Sequence, residues 1–154
     1  MKKKLNDKLE IVKRSDKYDL LIGIDTGVKT GFAVWDGKQL LQCKTEMIHN
    51  AFIQVLELAK VYDICVYVED ARKRGNSSSK SQSKAQGAGS VKRDAKAWED
   101  LLIDYDIPFR LIAPSRSTTK MDALPFKNLT KFEGRTSNHA RDAAMIVFGK
   151  IMNK

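Results

Sequence analysis

Leu20-Leu-Ile-Gly-Ile-Asp25-Thr-Gly-Val-Lys-Thr30-Gly-Phe-Ala-Val-Trp35-Asp-Gly37 is the stretch from which the fold is read. Its first five residues form a short apolar run with β-branched Ile22 and Ile24, which predicts a buried strand closed by Asp25. Thr26-Gly27 turns the chain. Over residues 30–35 the side chains alternate, with Phe32 and Val34 out of phase with Ala33 and Trp35, which predicts a second strand. Asp36-Gly37 is a two-residue hairpin signal, because both residue types accept the positive φ such a turn demands. Residues 40–45 then predict a third strand, and the three make an antiparallel meander.

Outward from this meander the period changes. Phe52, Val55, Leu56 and Ala59 share one helical face, with Asn50 as the expected cap. Ile64-Cys-Val-Tyr-Val68 predicts a fourth buried strand, closed by Glu69. Residues 70–86 lose all apolar pattern, and Arg72-Lys-Arg-Gly-Asn-Ser-Ser-Ser-Lys80 reads as a flexible basic loop. A helix follows, with Val91, Ala95, Trp98, Leu102 and Tyr105 on one face and Lys92, Arg93 and Lys96 turned away. Residues 108–113 predict a fifth strand, and residues 114–136 read as irregular. A last helix is expected over 137–152, with Ala140, Ala144, Val147, Phe148 and Ile151 as its apolar stripe. A strand–helix–strand crossover makes the later strands parallel. The expectation is an α/β fold with a five-stranded mixed sheet, three antiparallel strands then two parallel, flanked by helices. Residues 1–17 form a basic arm with short-helix character, and 18–154 one domain.

Composition sets the outer limits. The chain has 154 residues, of which 42% are hydrophobic, enough for one domain with a real core. No stretch approaches the ~20 apolar residues of a membrane span. The basic start lacks the apolar run of a secretory signal. Cys43 and Cys65 are far apart and outside any CxxC pair, which excludes a disulfide scaffold and a zinc ribbon and fits a reducing cytosol. Two histidines exclude a His-rich metal site. The 28 basic and 19 acidic residues leave +9, and the excess is segregated. Residues 1–17 carry +4, 71–96 carry +7 and 114–136 carry +3, so the rest of the chain is acidic. Basic segments around an acidic body attract a polyanion by counterion release.

The acids at the strand ends carry the chemistry. Asp25 and Glu69 both close apolar runs, so both are expected at the sheet's C-terminal edge, where open α/β sheets gather catalytic groups. His139 and Asp142 stand three apart near the start of the last helix and share a face. Packed carboxylates repel unless a cation cancels their charge, and oxygen ligands suit Mg²⁺ or Mn²⁺. Two such ions, about 3.5–4 Å apart, activate water and stabilise the leaving oxygen of a phosphodiester. His139 is the odd member: a ligand, an orienter of water or a proton shuttle. Each residue alone also has a plain structural reading. Asp25 is a common turn former, Glu69 a solvated strand end, His139 an acceptor for a backbone amide and Asp142 a partner of the helix dipole.

With those residues in place, the chain resembles the RuvC family of Holliday junction resolvases, within the ribonuclease H-like fold. The resemblance is carried by Gly23-Ile-Asp25-Thr-Gly27 with Thr30-Gly31, by Val66-Tyr-Val-Glu69, and by His139-Ala-Arg-Asp142-Ala-Ala144, over residues 20–152. It implies a homodimeric, cytoplasmic, metal-dependent endonuclease, of a bacterial cell or a phage-infected host. Such an enzyme makes symmetric nicks across a four-way DNA junction and leaves 5′-phosphate and 3′-hydroxyl ends. It also implies Asp25, Glu69, His139 and Asp142 as catalytic and metal-binding residues for two Mg²⁺ ions, with Mn²⁺ as the alternative. The turn after Asp25 lacks the family's proline and is one residue shorter. No aromatic residue follows Glu69, and the N-terminal arm is additional, the marks of a divergent, phage-type member.

Basic residues are expected to position the DNA, since phosphate contacts dominate affinity. The expected set is Lys29, Arg72, Lys73, Arg74, Lys80, Lys84, Lys92 and Arg93, with Lys120, Lys127 and Lys131 as weaker members. Three other readings use the same residues. One is a same-fold nuclease acting on forks, flaps or RNA–DNA hybrids. Another is a non-catalytic DNA-binding module. The third is a nucleotide-binding protein of the actin and sugar-kinase type, whose first phosphate loop Gly23-Ile-Asp25-Thr-Gly27 with Lys29-Thr-Gly31 resembles but whose two lobes 154 residues do not hold.

Overall fold

The computed structural model describes residues 15–73, 82–115 and 120–154, the side chains of 82–88 excepted. Apolar runs become strands where sequence pattern places them: β1 (Leu20–Asp25), β2 (Lys29–Trp35), β3 (Leu40–Met47), β4 (Ile64–Glu69) and β5 (Phe109–Ile112). They form one sheet in the order β3-β2-β1-β4-β5. The first three strands pair antiparallel, and β1–β4 and β4–β5 pair parallel. Four helices accompany the sheet among the described residues: α1 (Ile48–Val61), α2 (Gln82–Asp104), α3 (Ala123–Thr130) and α4 (Asn138–Val147). None is long and apolar enough to cross a membrane.

Both sheet faces are covered, which explains why β1 is apolar at every position before Asp25. On one face Ile22, Ile24, Phe32, Val34, Val66 and Val68 pack under α1 and α2. Trp98 is the largest buried side chain and meets Phe52 edge-to-face at 4.3 Å between ring centres. Burying a side chain of this size contributes about 2–3 kcal/mol. On the other face Leu21, Ala33, Trp35, Cys43 and Cys65 pack under Ala140, Ala143, Ala144 and Val147 of α4. Both cysteines are free and buried, as packing residues should be, and burial pushes the Cys43 thiol up to about 12.

Several boundaries differ from the sequence reading, each for a local reason. Helix α1 starts at Ile48, capped by Met47 without a side-chain hydrogen bond, so Asn50 lies inside it. Its start is fixed instead from outside, by the Ile48 amide donating to the Val28 carbonyl at 3.1 Å. The β2–β3 connection spans four residues, 36–39, because the Asp36 carboxylate accepts the Lys38 and Gln39 amides at 2.8 Å. Helix α2 begins at Gln82, within the stretch that shows no apolar pattern. Ala, Gln and Lys favour helix there without any apolar stripe to signal it. Tyr105, expected on its buried face, lies beyond the helix and is 59% exposed.

Residues 114–136 are not wholly irregular either, since α3 lies among them. Pro125 sits in its first turn, where a missing N–H costs nothing, and Phe126 and Thr130 are its buried residues. Helix α4 stops at Val147 rather than near Met152. Gly149 follows in the left-handed region at φ 74°, and Ile151 is 74% exposed. The tail returns to the beginning of the described chain, where Asn153 pairs with Lys17, so residue 17 belongs to the body rather than to the arm.

Candidate functional site at the carboxyl edge of the sheet

Strand alternation decides where the acids point. In β1, Leu21 faces α4 while Ile22 and Ile24 face α1 and α2. Asp25 is therefore on the α4 side, one step past Gly23. In β4, Cys65 and Tyr67 are on the α4 side, which places Glu69 there too. Ile24 stands opposite Val68 in the parallel register, so Asp25 and Glu69 follow side by side at one edge. The Thr26 hydroxyl donates to the Glu69 carbonyl at 3.1 Å and ties the two strand ends together.

Two glycines bring α4 onto this edge. A Cβ on Gly23 would lie 2.1 Å from the Ala143 carbonyl oxygen, and one on Gly31 would lie 1.9 Å from the His139 carbonyl oxygen. Only glycine at these positions lets the helix backbone press on β1 and β2. The helix start is pinned further by its neighbours. Ser137 accepts the Ala140 amide at 3.1 Å and shares a hydrogen bond with Thr45 of β3. Cys43 donates to the Ala140 carbonyl at 3.3 Å.

This docking puts His139 against Asp25, with Nδ1 2.9 Å from Oδ2. The Asp25 side chain is 15% exposed and the imidazole 51%. Burial pushes the Asp25 carboxyl above its ordinary range. The His139 contact opposes that rise, the Asp142 carboxylate adds to it, and Lys120 opposes it. Three of the four expected residues thus act on one another, and Glu69 is next in register. Among the described residues no three His, Cys, Asp or Glu side chains are gathered closely enough to hold an ion as they stand. The carboxylates of Asp25, Glu69 and Asp142 are oxygen donors of the kind a hard divalent cation takes.

The expected DNA-binding residues divide. Lys29 opens β2 at the same edge and is exposed, as are Lys92 and Arg93 on α2. Arg74 and Lys80 lie outside the described residues, and Lys84 is on α2 with its side chain outside them. Arg72 is committed elsewhere. Its guanidinium meets both carboxylate oxygens of Asp70, at 2.8 and 2.9 Å, and Glu99 of α2 at 2.8 Å. Asp70 is 2% exposed, on the side of the sheet away from Asp25. Burial alone would raise its carboxyl, but the Arg72 guanidinium and amide hold it below the ordinary range. One guanidinium shared by two carboxylates leaves little charge for a phosphate. Lys73 is exposed and donates to the Leu111 carbonyl at 2.6 Å.

Arg141 has no role in the sequence reading. It is 6% exposed, and it donates to the carbonyls of Met121 at 2.7 Å and Thr136 at 2.9 Å, and to the Asn138 side chain. It therefore clamps both ends of the α3 segment, with Lys120 beside it, to the start of α4. An arginine between His139 and Asp142 in a short motif gives no sign of this in sequence. No protein-family model matches the chain, and a search of curated proteins finds no match.

Proposed function

We propose that the chain is a metal-dependent, structure-specific endodeoxyribonuclease of the ribonuclease H-like fold that nicks four-way DNA junctions as a homodimer. The observation that carries the reading is the pairing of two strand-end acids in adjacent parallel strands, on the face where α4 delivers His139 to Asp25. Asp25, Glu69 and Asp142 are the residues that would hold Mg²⁺ or Mn²⁺, with His139 beside them. When bound, such an ion cancels the carboxylate charge and draws electron density from the scissile phosphate.

The chain's own residues do the rest. His139 Nδ1 and Asp25 Oδ2 share a hydrogen bond, and the tautomer with its proton on Nδ1 leaves Nε2 as the basic nitrogen. From that position Nε2 takes a proton from the attacking water or returns one to the leaving 3′-oxygen. Lys29, Lys120 and the exposed cations of α2 hold the phosphate backbone beside the edge.

The test is nicking of a synthetic four-way junction with Mg²⁺, Mn²⁺ or EDTA, beside a fork, a flap and an RNA–DNA hybrid. Paired nicks on the junction, dependent on the metal, support the proposal. Preference for another substrate keeps the chemistry and changes the substrate. Binding without nicking on every substrate leaves a DNA-binding module.

A further inference from the structure

Helix α4 lies over β3, β2 and β1 and only grazes β4, which leaves a half-open strip on the same side of β4 and β5. Strand alternation puts Tyr67 and Glu69 of β4 on that strip, and the parallel register sets Arg110 beside Tyr67 and Ile112 beside Glu69. Tyr67 and Ile112 are half-buried and Arg110 is exposed. The chain beyond α4 brings a second cation. Gly149 turns it at positive φ, the Lys150 amide donates to the Val147 carbonyl at 3.0 Å, and the Trp35 indole donates to the Lys150 carbonyl at 3.2 Å. The Lys150 ammonium lies 5.1 Å from the Tyr67 ring centre, within cation–π reach. Burial pushes the Cys65 thiol up and the Arg110 guanidinium opposes that rise, so the charge of Arg110 is felt on β4. Among the described residues neither Arg110 nor Lys150 has a carboxylate within ion-pair distance. Asp63, which precedes β4, is held by Lys154.

We infer that this strip is a phosphate-backbone subsite, where Arg110 and Lys150 hold the DNA strand that runs along β4 from the carboxyl edge. The inference rests on the proposed nucleic-acid substrate and not on the nuclease chemistry. Cations without an acid partner are the complement of a polyanion. Tyr67 stands two residues from Glu69, about 7 Å along the strand, and a duplex strand advances about 3.4 Å per nucleotide. A phosphate beside Tyr67 is therefore about two nucleotides from one at the acids. Arg110 and Lys150 are isolated cations outside the three basic segments, so charge counted along the chain passes over both.

The test is fluorescence anisotropy of a labelled four-way junction with the full chain in EDTA, across a salt series. Arg110→Ala with Lys150→Ala should weaken binding about tenfold or more and reduce the slope of log affinity against log salt by about 0.9 per lost contact. Unchanged affinity and slope would overturn the inference. A second measurement needs no variant: junction DNA should protect the Lys150 amine of the parent chain from acetylation, read by mass spectrometry. Equal acetylation with and without DNA would overturn the subsite even if the double variant folds poorly. Protection that rises with protein concentration alone would assign the strip to a second copy and overturn it too. Weakened binding of the variant, in a parent that nicks nothing when Mg²⁺ is supplied, would support the subsite and sink the nuclease reading. A parent that binds no DNA would sink both.

Discussion

Asp25 carries a charge where burial disfavours it, and that conflict makes two expectations about one side chain. Asp25→Asn should reduce metal-dependent nicking to background while junction binding persists. It should also stabilise the fold. The native carboxyl titrates above its ordinary value of 3.8. Between those two values the folded state holds more protons than the unfolded, so parent stability falls as pH rises through that window. In EDTA the Asn variant should therefore melt above the parent at pH 7, and the gap should close toward about pH 3. A variant that melts lower throughout would remove the desolvation argument. Asp70 behaves in the opposite sense, because its folded pKa is depressed. The Asp70–Arg72 contribution is present above 3.8 and is lost as pH falls through the folded value. Arg72→Ala should cost about 1–3 kcal/mol in urea unfolding at pH 7, and less in acid. A normal stability with a flattened salt dependence of DNA binding would return Arg72 to the interface.

The elements are legible where periodicity has one cause. β1 and β4 are apolar runs with polar stops, so the antiparallel meander and the parallel pairing of the later strands follow from pattern and crossover, whereas the neighbouring of β1 and β4 comes from the structure. Helix α3 is not legible, because eight residues give two turns of pattern and Pro125 reads as a breaker unless its place in the first turn is known. Arg72 misleads because a run of cations looks alike whether it meets solvent or a buried Asp70. The glycines of α4's landing site sit inside quoted motifs, but a helix approaching from more than a hundred residues away is invisible there. Their role is testable. Gly23→Ala and Gly31→Ala should each cost about 1–3 kcal/mol or more, since the added methyl meets backbone rather than a movable side chain. Gly89→Ala is the control: nothing lies within 4 Å, and a helical alanine should stabilise by up to about 1 kcal/mol. Equal effects at all three positions would mean the close approach is not what the glycines serve.

At the scale of the whole molecule, Lys92 and Arg93 stand exposed on α2 and Lys29 at the carboxyl edge. If Lys92 and Arg93 touch DNA phosphates, replacing both with Ala should reduce the slope of log affinity against log salt by about 0.9 per lost contact. A parallel line shifted in neither slope nor height would clear α2 of the interface.

The Asp25–His139 pair joins residues 114 positions apart. Every group on the sheet side of that pair is synthesised long before the helix that completes it. A nascent polypeptide still lacking α4 has its acids on an uncovered β-surface and no imidazole to meet them. The Asp25–His139 contact therefore forms only after α4 has been made and has docked on the strands that precede it by most of the chain.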